Sequence, residues 1–432
     1  MTSRHLLVVA YTFPPAAQSG AQRALRLVRH IGRLGWRVTV LTADPDHYFI
    51  RDEALLEKIP QNVRVVRVPD PMPARAVPLA GLSESRKSSR ILPGLPPAAS
   101  RFLRKIKRAI FTPDEQVFWT LKAWRTAFAL HAQDRFDVGF VTSPYHSSQF
   151  IGLFLSKYSV PYVSDYRDHW TLYPLTSERF ALTRAWERRL ERRCLSAAQA
   201  VVYTSDTTRD EYAAFYPDLK LDRKTHVVWN SYEEEDFDRS VRPLADKFLL
   251  VHAGNLYYAR DPKPFLMGVR GFLDVRPQAR GKAQVEFLGV SEVSFEASIR
   301  DAGLADTVVF RGFLPHRQTM RRLCESSGLV LIVGLSAGKD PFIPGKIFEY
   351  LGAGRQILAL VDPGTPSARL LDGRPGCHIL GVDDPAALAA ALVNLYDQWA
   401  QQSDAVAVPP DPATRADAMA GAFAEIFERA RT

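Results

Sequence analysis

Two spacings of apolar residues alternate along this chain. Short unbroken apolar runs are separated by longer stretches in which apolar residues recur every three or four positions. A strand buried on both faces of a parallel sheet reads as a continuous run, and a helix covering the sheet reads as the second pattern. Runs at residues 5–10, 37–42, 63–68, 137–142, 161–164, 200–204 and 225–229 predict one set of strands. Runs at 248–253, 285–288, 308–310, 329–333, 357–361 and 378–380 predict a second. Each set opens with strand, small-residue loop and helix, the first part of a right-handed crossover unit. The expectation is an N-terminal domain over 1–240, with an insert at 69–112, and a C-terminal domain over 241–410. The acidic run Glu233-Glu234-Glu235-Asp236 reads as the linker between them. A last helix over 411–432, with Ala418, Met419, Phe423, Ile426 and Phe427 as candidate core, is expected to pack back on the first domain.

Three helical stretches carry unusual charge. In the first, Ala21, Ala24, Leu25, Val28 and Ile31 form one apolar stripe and Arg23, Arg26, Arg29 and Arg33 are expected off it. Residues 100–111 set Phe102, Leu103, Ile106, Ile110 and Phe111 against Arg101, Arg104, Lys105, Lys107 and Arg108. A basic amphipathic helix of that kind suits an anionic membrane surface, or else packs its apolar side on the first domain. In 179–194, Arg184, Arg188, Arg189, Arg192 and Arg193 with Glu187 and Glu191 read as a solvated face laced by i,i+4 pairs.

A length of 432 residues agrees with two domains. Three scattered cysteines, with no zinc-type spacing, predict reduced thiols and no structural metal. There is no basic n-region with a cleavage site and no apolar run near 18 residues, so neither a signal peptide nor a membrane span is expected. The net charge of +9 favours anionic partners (nucleotides, nucleic acid, acidic lipid) without choosing among them.

The candidate chemistry concentrates in Pro341-Phe-Ile-Pro344-Gly345-Lys346-Ile-Phe-Glu349-Tyr-Leu-Gly352-Ala-Gly354. Proline and glycine fit the two ends of a short helix. A helix start offers unpaired N–H groups to a diphosphate, Lys346 adds charge there, and Glu349 is suited to a ribose diol. The competing reading is plain helix punctuation with a solvated Lys346. In the first domain, the loop through Ser19 and Gly20, Ser143-Pro144-Tyr145-His146, and Asp165-Tyr166-Arg167-Asp168-His169-Trp170 all follow predicted strands. Open α/β sheets bind ligands there. The last cluster also reads as an ion-pair network bracing the sheet.

Taken together, these motifs resemble the retaining nucleotide-sugar glycosyltransferases of the family 4 type. That family has the GT-B fold: α/β, two Rossmann-like doubly wound domains facing across a cleft. Pro14-Pro15 through Ser19-Gly20 and Arg23 resemble its first glycine loop, with Ser19 where glycine is usual. Gly254-Asn255 with Arg260 resembles its second loop, where Asn255 replaces one of two phosphate-gripping cations. Gly312-Phe313-Leu314-Pro315-His316 resembles the segment bordering the nucleobase, and Gly345, Lys346 and Glu349 the donor helix. The partner of that glutamate falls on Pro341, and the family's His-Asp pair falls on Arg167-Asp168, leaving His146 as the nearest candidate for the histidine's role.

The resemblance implies catalytic roles for Arg260, Lys346, Asp168 and His146. It implies donor binding by Gly20, Gly254, Asn255, Pro315, Gly345, Lys346 and Glu349, and an acceptor side of Ser19, Gly20, Arg23 and Arg167. It further implies a nucleotide diphosphate sugar as co-substrate, no cofactor and no metal. The acceptor would be a glycan or lipid-linked glycan of surface-polysaccharide assembly, met in the cytoplasm or at the inner membrane face. Lys346 and Glu349 are expected to line the gap between the two lobes. The rival readings are a nucleotide-sugar epimerase or phosphorylase on the same fold and a non-enzymatic basic protein; nucleic acid is not expected as a partner, because no recognition module is present.

Overall fold

The structure is a computed structural model that describes residues 4–48, 50–72, 97–172, 179–255, 263–289, 295–333, 342–401 and 408–432. The chain divides into two compact units: unit 1 takes residues up to 72, 97–230 and 416–432 of those described, and unit 2 takes 231–415.

Unit 1 runs β1 (Arg4–Val9), α1 (Ser19–Ile31), β2 (Trp36–Ala43), β3 (Arg64–Val68), α2 (Pro97–Ile110), α3 (Val117–Gln133), β4 (Val138–Ser143) and α4 (Gln149–Lys157). It continues with β5 (Tyr162–Tyr166), α5 (Ala181–Ala197), β6 (Ala200–Tyr203), α6 (Asp206–Phe215) and β7 (Thr225–Val227). Unit 2 holds β8 (Phe248–Ala253), α7 (Lys263–Val275), β9 (Ala283–Leu288), α8 (Glu296–Asp301), β10 (Val308–Gly312), α9 (His316–Glu325) and β11 (Gly328–Ile332). After these come α10 (Lys346–Ala353), β12 (Gln356–Leu360), α11 (Pro366–Leu371), β13 (Cys377–Leu380) and α12 (Pro385–Ala400). The chain then returns to unit 1 as α13 (Ala416–Arg431).

Both sheets are parallel throughout their described pairings. Their orders are β3-β2-β1-β4-β5-β6-β7 and β10-β9-β8-β11-β12-β13. The direction of winding reverses between β1 and β4 in unit 1 and between β8 and β11 in unit 2. Those switch points open a crevice beyond the strand carboxyl ends.

Alternation along each strand sends side chains to two different layers. Leu7 and Val9 of β1 pack with Trp119, Ala123, Ile151, Leu155 and Leu195 of the helices on one face. Leu6 and Val8 pack with α1 and α13 on the other. Phe423 of α13 meets Phe140 edge-on at 5.0 Å, and Phe427 meets Trp36 at 5.7 Å. A fully buried phenylalanine contributes roughly 1.5–3 kcal/mol, which accounts for the docking of α13.

That second layer changes the expected faces of α1. Arg23 and Arg26, predicted to lie off the apolar stripe, are only 2% and 4% exposed, because α1 is enclosed between the sheet and α13. The charge pattern of α5 also differs from a fully solvated face. Its arginines are mostly outside, but Glu187 and Glu191 are buried. Glu191 accepts hydrogen bonds from Tyr212 (2.7 Å) and Tyr216 (2.8 Å), and from the Thr171 hydroxyl, while Glu187 pairs with Arg179. Carboxylates placed inside need such partners, since an unpaired buried charge is strongly unfavourable.

Candidate functional site

In unit 2 the short helix α10 forms as its punctuation predicts. Ile347 N–H donates to Pro344 O and Phe348 N–H to Gly345 O, each at 3.1 Å. Ile347, Phe348 and Leu351 are buried, which anchors the helix. It ends at Gly354, whose φ of +68° is a left-handed position suited to glycine. Gly352 has a different reason for lacking a side chain. A Cβ there would come within 2.5 Å of the Phe237 ring and 2.7 Å of the Tyr232 ring.

Lys346, the first residue of α10, donates from Nζ to Nε2 of His252 at 3.1 Å. His252 lies fully buried on β8, and its Nδ1 is 2.9 Å from the Val330 carbonyl on β11. A carbonyl only accepts, so Nδ1 carries the proton and Nε2 presents its lone pair to the ammonium. Tyr350, one turn after Lys346, accepts from Ala253 N–H at 2.8 Å and donates to Val330 O at 3.2 Å. Lys346, His252 and Tyr350 therefore converge on the β8–β11 switch point. Gly254 completes the group: its φ is +120°, and a Cβ there would lie 2.8 Å from Lys346 Nζ.

Glu349 is half-buried in the first turn of α10, three residues from Lys346 and hence on the same side of the helix. Asn255 is half-buried directly after Gly254, and Pro315 caps the start of α9, where His316 Nε2 lies 2.8 Å from Asp236 Oδ2. Arg260 and Pro341 lie outside the described residues.

The unit 1 candidates gather beyond β4 and β5. Arg167 donates from Nε to Ser143 O at 2.8 Å and from Nη2 to Pro144 O at 3.3 Å. Its guanidinium fills the space beside Gly20, where a Cβ would sit 2.6 Å from Nη1. Burial lowers the Arg167 pKa, opposed by the charges of Asp165 and Asp168. Burial raises the Asp168 carboxyl, opposed by Arg167. His146 stacks on Trp170 with centroids 5.4 Å apart and planes 10° from parallel. Burial brings its pKa down to about 3, so the imidazole is neutral at neutral pH. Asp114 holds this loop by accepting from Ser147 N–H at 3.0 Å and from its hydroxyl at 2.5 Å.

Arg23 departs from its predicted acceptor-side role. Its five N–H donors are used internally: Nε and Nη2 on Asp165 (3.0 and 2.8 Å), Nη2 on Val228 O (3.0 Å), and Nη1 on Trp229 O and Asn230 Oδ1 (2.8 and 3.3 Å). The guanidinium also lies over Phe423, 5.1 Å from its centroid. Arg23 is a brace joining α1, β5, the segment after β7 and α13. The bracing reading of the Asp165–Trp170 cluster therefore holds for Asp165, whereas Arg167 and Asp168 lie just past the carboxyl end of β5, near the His146 loop. Ser19 opens α1.

His252 and Tyr350 were not singled out from the sequence. A histidine inside the apolar run 248–253 was the available signal, since a polar residue in a buried strand needs a specific partner. Among the described residues no group of three or more His, Cys, Asp or Glu side chains is arranged to hold a metal, and no helix is long and apolar enough to cross a membrane.

Comparison with known proteins agrees with this frame. Residues 20–230 match the model of the glycosyl transferase 4-like domain, which here runs from Gly20 to the last residue of unit 1 before unit 2. Sucrose-phosphate synthase from Thermosynechococcus elongatus aligns with 99% of this chain and 98% of its own, at 15% identity and a TM-score of 0.60. WaaG, a glycosyltransferase involved in lipopolysaccharide biosynthesis, aligns over 99% and 98% at 12% identity and a TM-score of 0.54. A putative UDP-N-acetylglucosamine 2-epimerase from Listeria monocytogenes aligns over 100% and 98%, with 12% identity and a TM-score of 0.54. No curated protein matches the sequence. At these identities the structural matches establish the fold.

Proposed function

We propose that this chain, a glycosyltransferase of the GT-B, family 4-like type, moves a sugar from a nucleotide diphosphate sugar to a glycan or lipid-linked glycan acceptor, with retention at the anomeric carbon. The observation that carries the reading is Lys346, held 3.1 Å from the buried His252 at the glycine-lined switch point of unit 2. As the anomeric C–O bond to the diphosphate breaks, negative charge grows on the leaving group. The Lys346 ammonium and the N–H groups that open α10 are donors fixed in advance, and such preorganised electrostatics accounts for much of enzymatic rate acceleration. Arg260 supplies a second cation in this reading, and Asn255, Gly254 and Gly345 let the phosphates approach the backbone. Glu349 accepts the ribose hydroxyls, and Pro315 borders the base.

On the acceptor side, Gly20 and Arg167 position the incoming hydroxyl, with Ser19 beside them. The new C–O bond forms on the face the diphosphate leaves, and the departing diphosphate takes the acceptor proton, so no strong protein base is required. His146 and Asp168 orient the transferred sugar. The reaction needs no metal and no cofactor in this scheme, and takes place in the cytoplasm, with surface-polysaccharide assembly as its setting.

The test is a thermal-shift screen over nucleotide sugars with wild type and Lys346→Ala, followed by donor turnover with acceptor glycans. A ligand that binds only the folded state raises its stability. One nucleotide sugar should stabilise the wild type and lose that effect in the variant; equal shifts in both would sink the site assignment. Epimerisation is the second reading, favoured by the shared fold of the 2-epimerase. Conversion of the donor to an isomer in the absence of any acceptor would establish it in place of transfer.

A further inference from the structure

The net charge of the chain is +9, and almost all of it comes from two helices. α2 and α5 together hold ten basic and two acidic residues, eight of those nine charges. The two acids, Glu187 and Glu191, are buried, so what α5 turns outward is cationic. The helices are neighbours in unit 1. Phe102 of α2 meets Phe180, the residue before α5, edge-on at 6.0 Å, and Lys105 Nζ lies 5.9 Å over the same ring. Arg179 donates to Pro113 O at 2.9 Å just beyond the end of α2.

Large apolar side chains stand out on these same helices. Leu182 is 86% exposed and Trp186, one turn along α5, is 52% exposed; on α2, Phe102 is 56% and Ile110 63% exposed. Arg189 and Arg193 continue the Leu182–Trp186 side of α5 at helical spacing and are exposed. Apolar side chains of this size in water, ringed by cations, are what an interfacial helix inserts below lipid headgroups.

We propose that α2 and α5 form a docking surface for an anionic lipid bilayer, with Phe102, Ile110, Leu182 and Trp186 entering the headgroup–acyl boundary and the lysines and arginines contacting acidic headgroups. Charge decides among occupants. A second copy of this face would bring like charges together. A nucleic acid would satisfy the cations but leaves the aliphatic Leu182 and Ile110 without a role. An anionic bilayer satisfies both. The surface belongs to unit 1 and the proposed donor residues to unit 2, and vesicle binding is read without glycosyl transfer, so its test does not depend on that activity.

The experiment is sedimentation of the whole chain with vesicles of phosphatidylcholine alone and with about one third phosphatidylglycerol. Wild type should pellet with the anionic vesicles only, and release as salt rises from about 0.1 to about 0.5 M. Leu182→Glu/Trp186→Glu should lower binding at least about tenfold, as should Lys105→Glu/Arg189→Glu, since each cation near an acidic surface is worth about 1 kcal/mol. All four positions are at least partly exposed, so unchanged melting temperatures verify the fold of the variants. Three results overturn the proposal: no pelleting with anionic vesicles, equal binding by wild type and both variants, or binding to single-stranded RNA but not to vesicles.

Discussion

In unit 1 Gly20 lies against the Arg167 guanidinium; in unit 2 Gly254 lies against the Lys346 ammonium. Each pair stands past a strand end at a switch point, and in each the missing side chain makes room for a cation. The cations are held differently. Arg167 is tied to the backbone carbonyls of Ser143 and Pro144 and flanked by Asp165 and Asp168, whereas Lys346 is steadied by the uncharged imidazole of His252. Arg23, one turn into the same helix as Gly20, goes further still, with Asp165 and three backbone or amide oxygens saturating it. The cations near these helix starts thus differ in their partners: Arg23 is saturated by a buried carboxylate and carbonyl oxygens and is structural, whereas Lys346 is hydrogen-bonded to a buried imidazole at the switch point.

The sharpest way to break that contrast is to remove Arg23. Arg23→Ala leaves Asp165 buried without its partner, and losses of about 3–5 kcal/mol are typical. Chemical denaturation should show unit 1 melting early or not folding, and a stable variant with altered acceptor kinetics alone would overturn the structural reading. Lys346→Ala should do the reverse: turnover falls at least about tenfold, near 1.4 kcal/mol, while the melting temperature stays close to wild type. His252→Gln keeps an acceptor for Lys346 but loses the ring geometry. A several-fold rise in donor KM is expected, smaller than the loss in Lys346→Ala; an unchanged KM means the tether is dispensable.

The two glycines refine the comparison. Gly254→Ala imposes both strain at φ +120° and a contact with Lys346, so stability should drop by about 1–3 kcal/mol together with donor affinity. Gly20→Ala meets the Arg167 guanidinium, which must loosen its bonds to Ser143 O and Pro144 O to make room, and should cost about 0.5–1.5 kcal/mol while weakening acceptor use. A separate test uses acid. Burial holds His146 at about 3 and His169 at about 4, below the ordinary 6.5, so the unfolded chain binds protons that the folded chain refuses. Stability contributed by the neutral rings is complete above about pH 6.5 and is lost as pH falls towards 3. Melting temperature against pH should decline less steeply over that window in His146→Phe than in wild type.

Much of this was legible in the sequence because parallel strands buried on both faces leave unbroken apolar runs. The runs at 5–10 and 248–253 correspond to β1 and β8, and Pro344, Gly345 and Gly354 mark the ends of α10. What was hidden depends on contacts distant along the chain. Arg23 looked like one more surface arginine because its partners lie up to 396 residues away, at Met419. Glu187 and Glu191 looked solvated because the tyrosines and arginine that receive them come from other segments. His252 was visible as an oddity in an apolar strand, but its role needed Lys346 and Val330 brought beside it by the sheet.

Since α13 covers the same face as α1, unit 1 encloses a stretch of polypeptide that builds all of unit 2 before returning. During synthesis the Phe140 side of its sheet must wait for Phe423 and Phe427 to emerge from the ribosome. Unit 2 has every strand it needs beforehand and is free to mature first, against the usual N-to-C order of domain folding. Deleting 416–432 would thus leave unit 2 intact and unit 1 with an uncovered apolar face, a defect that a quality-control protease would find in the half of the chain that was not cut.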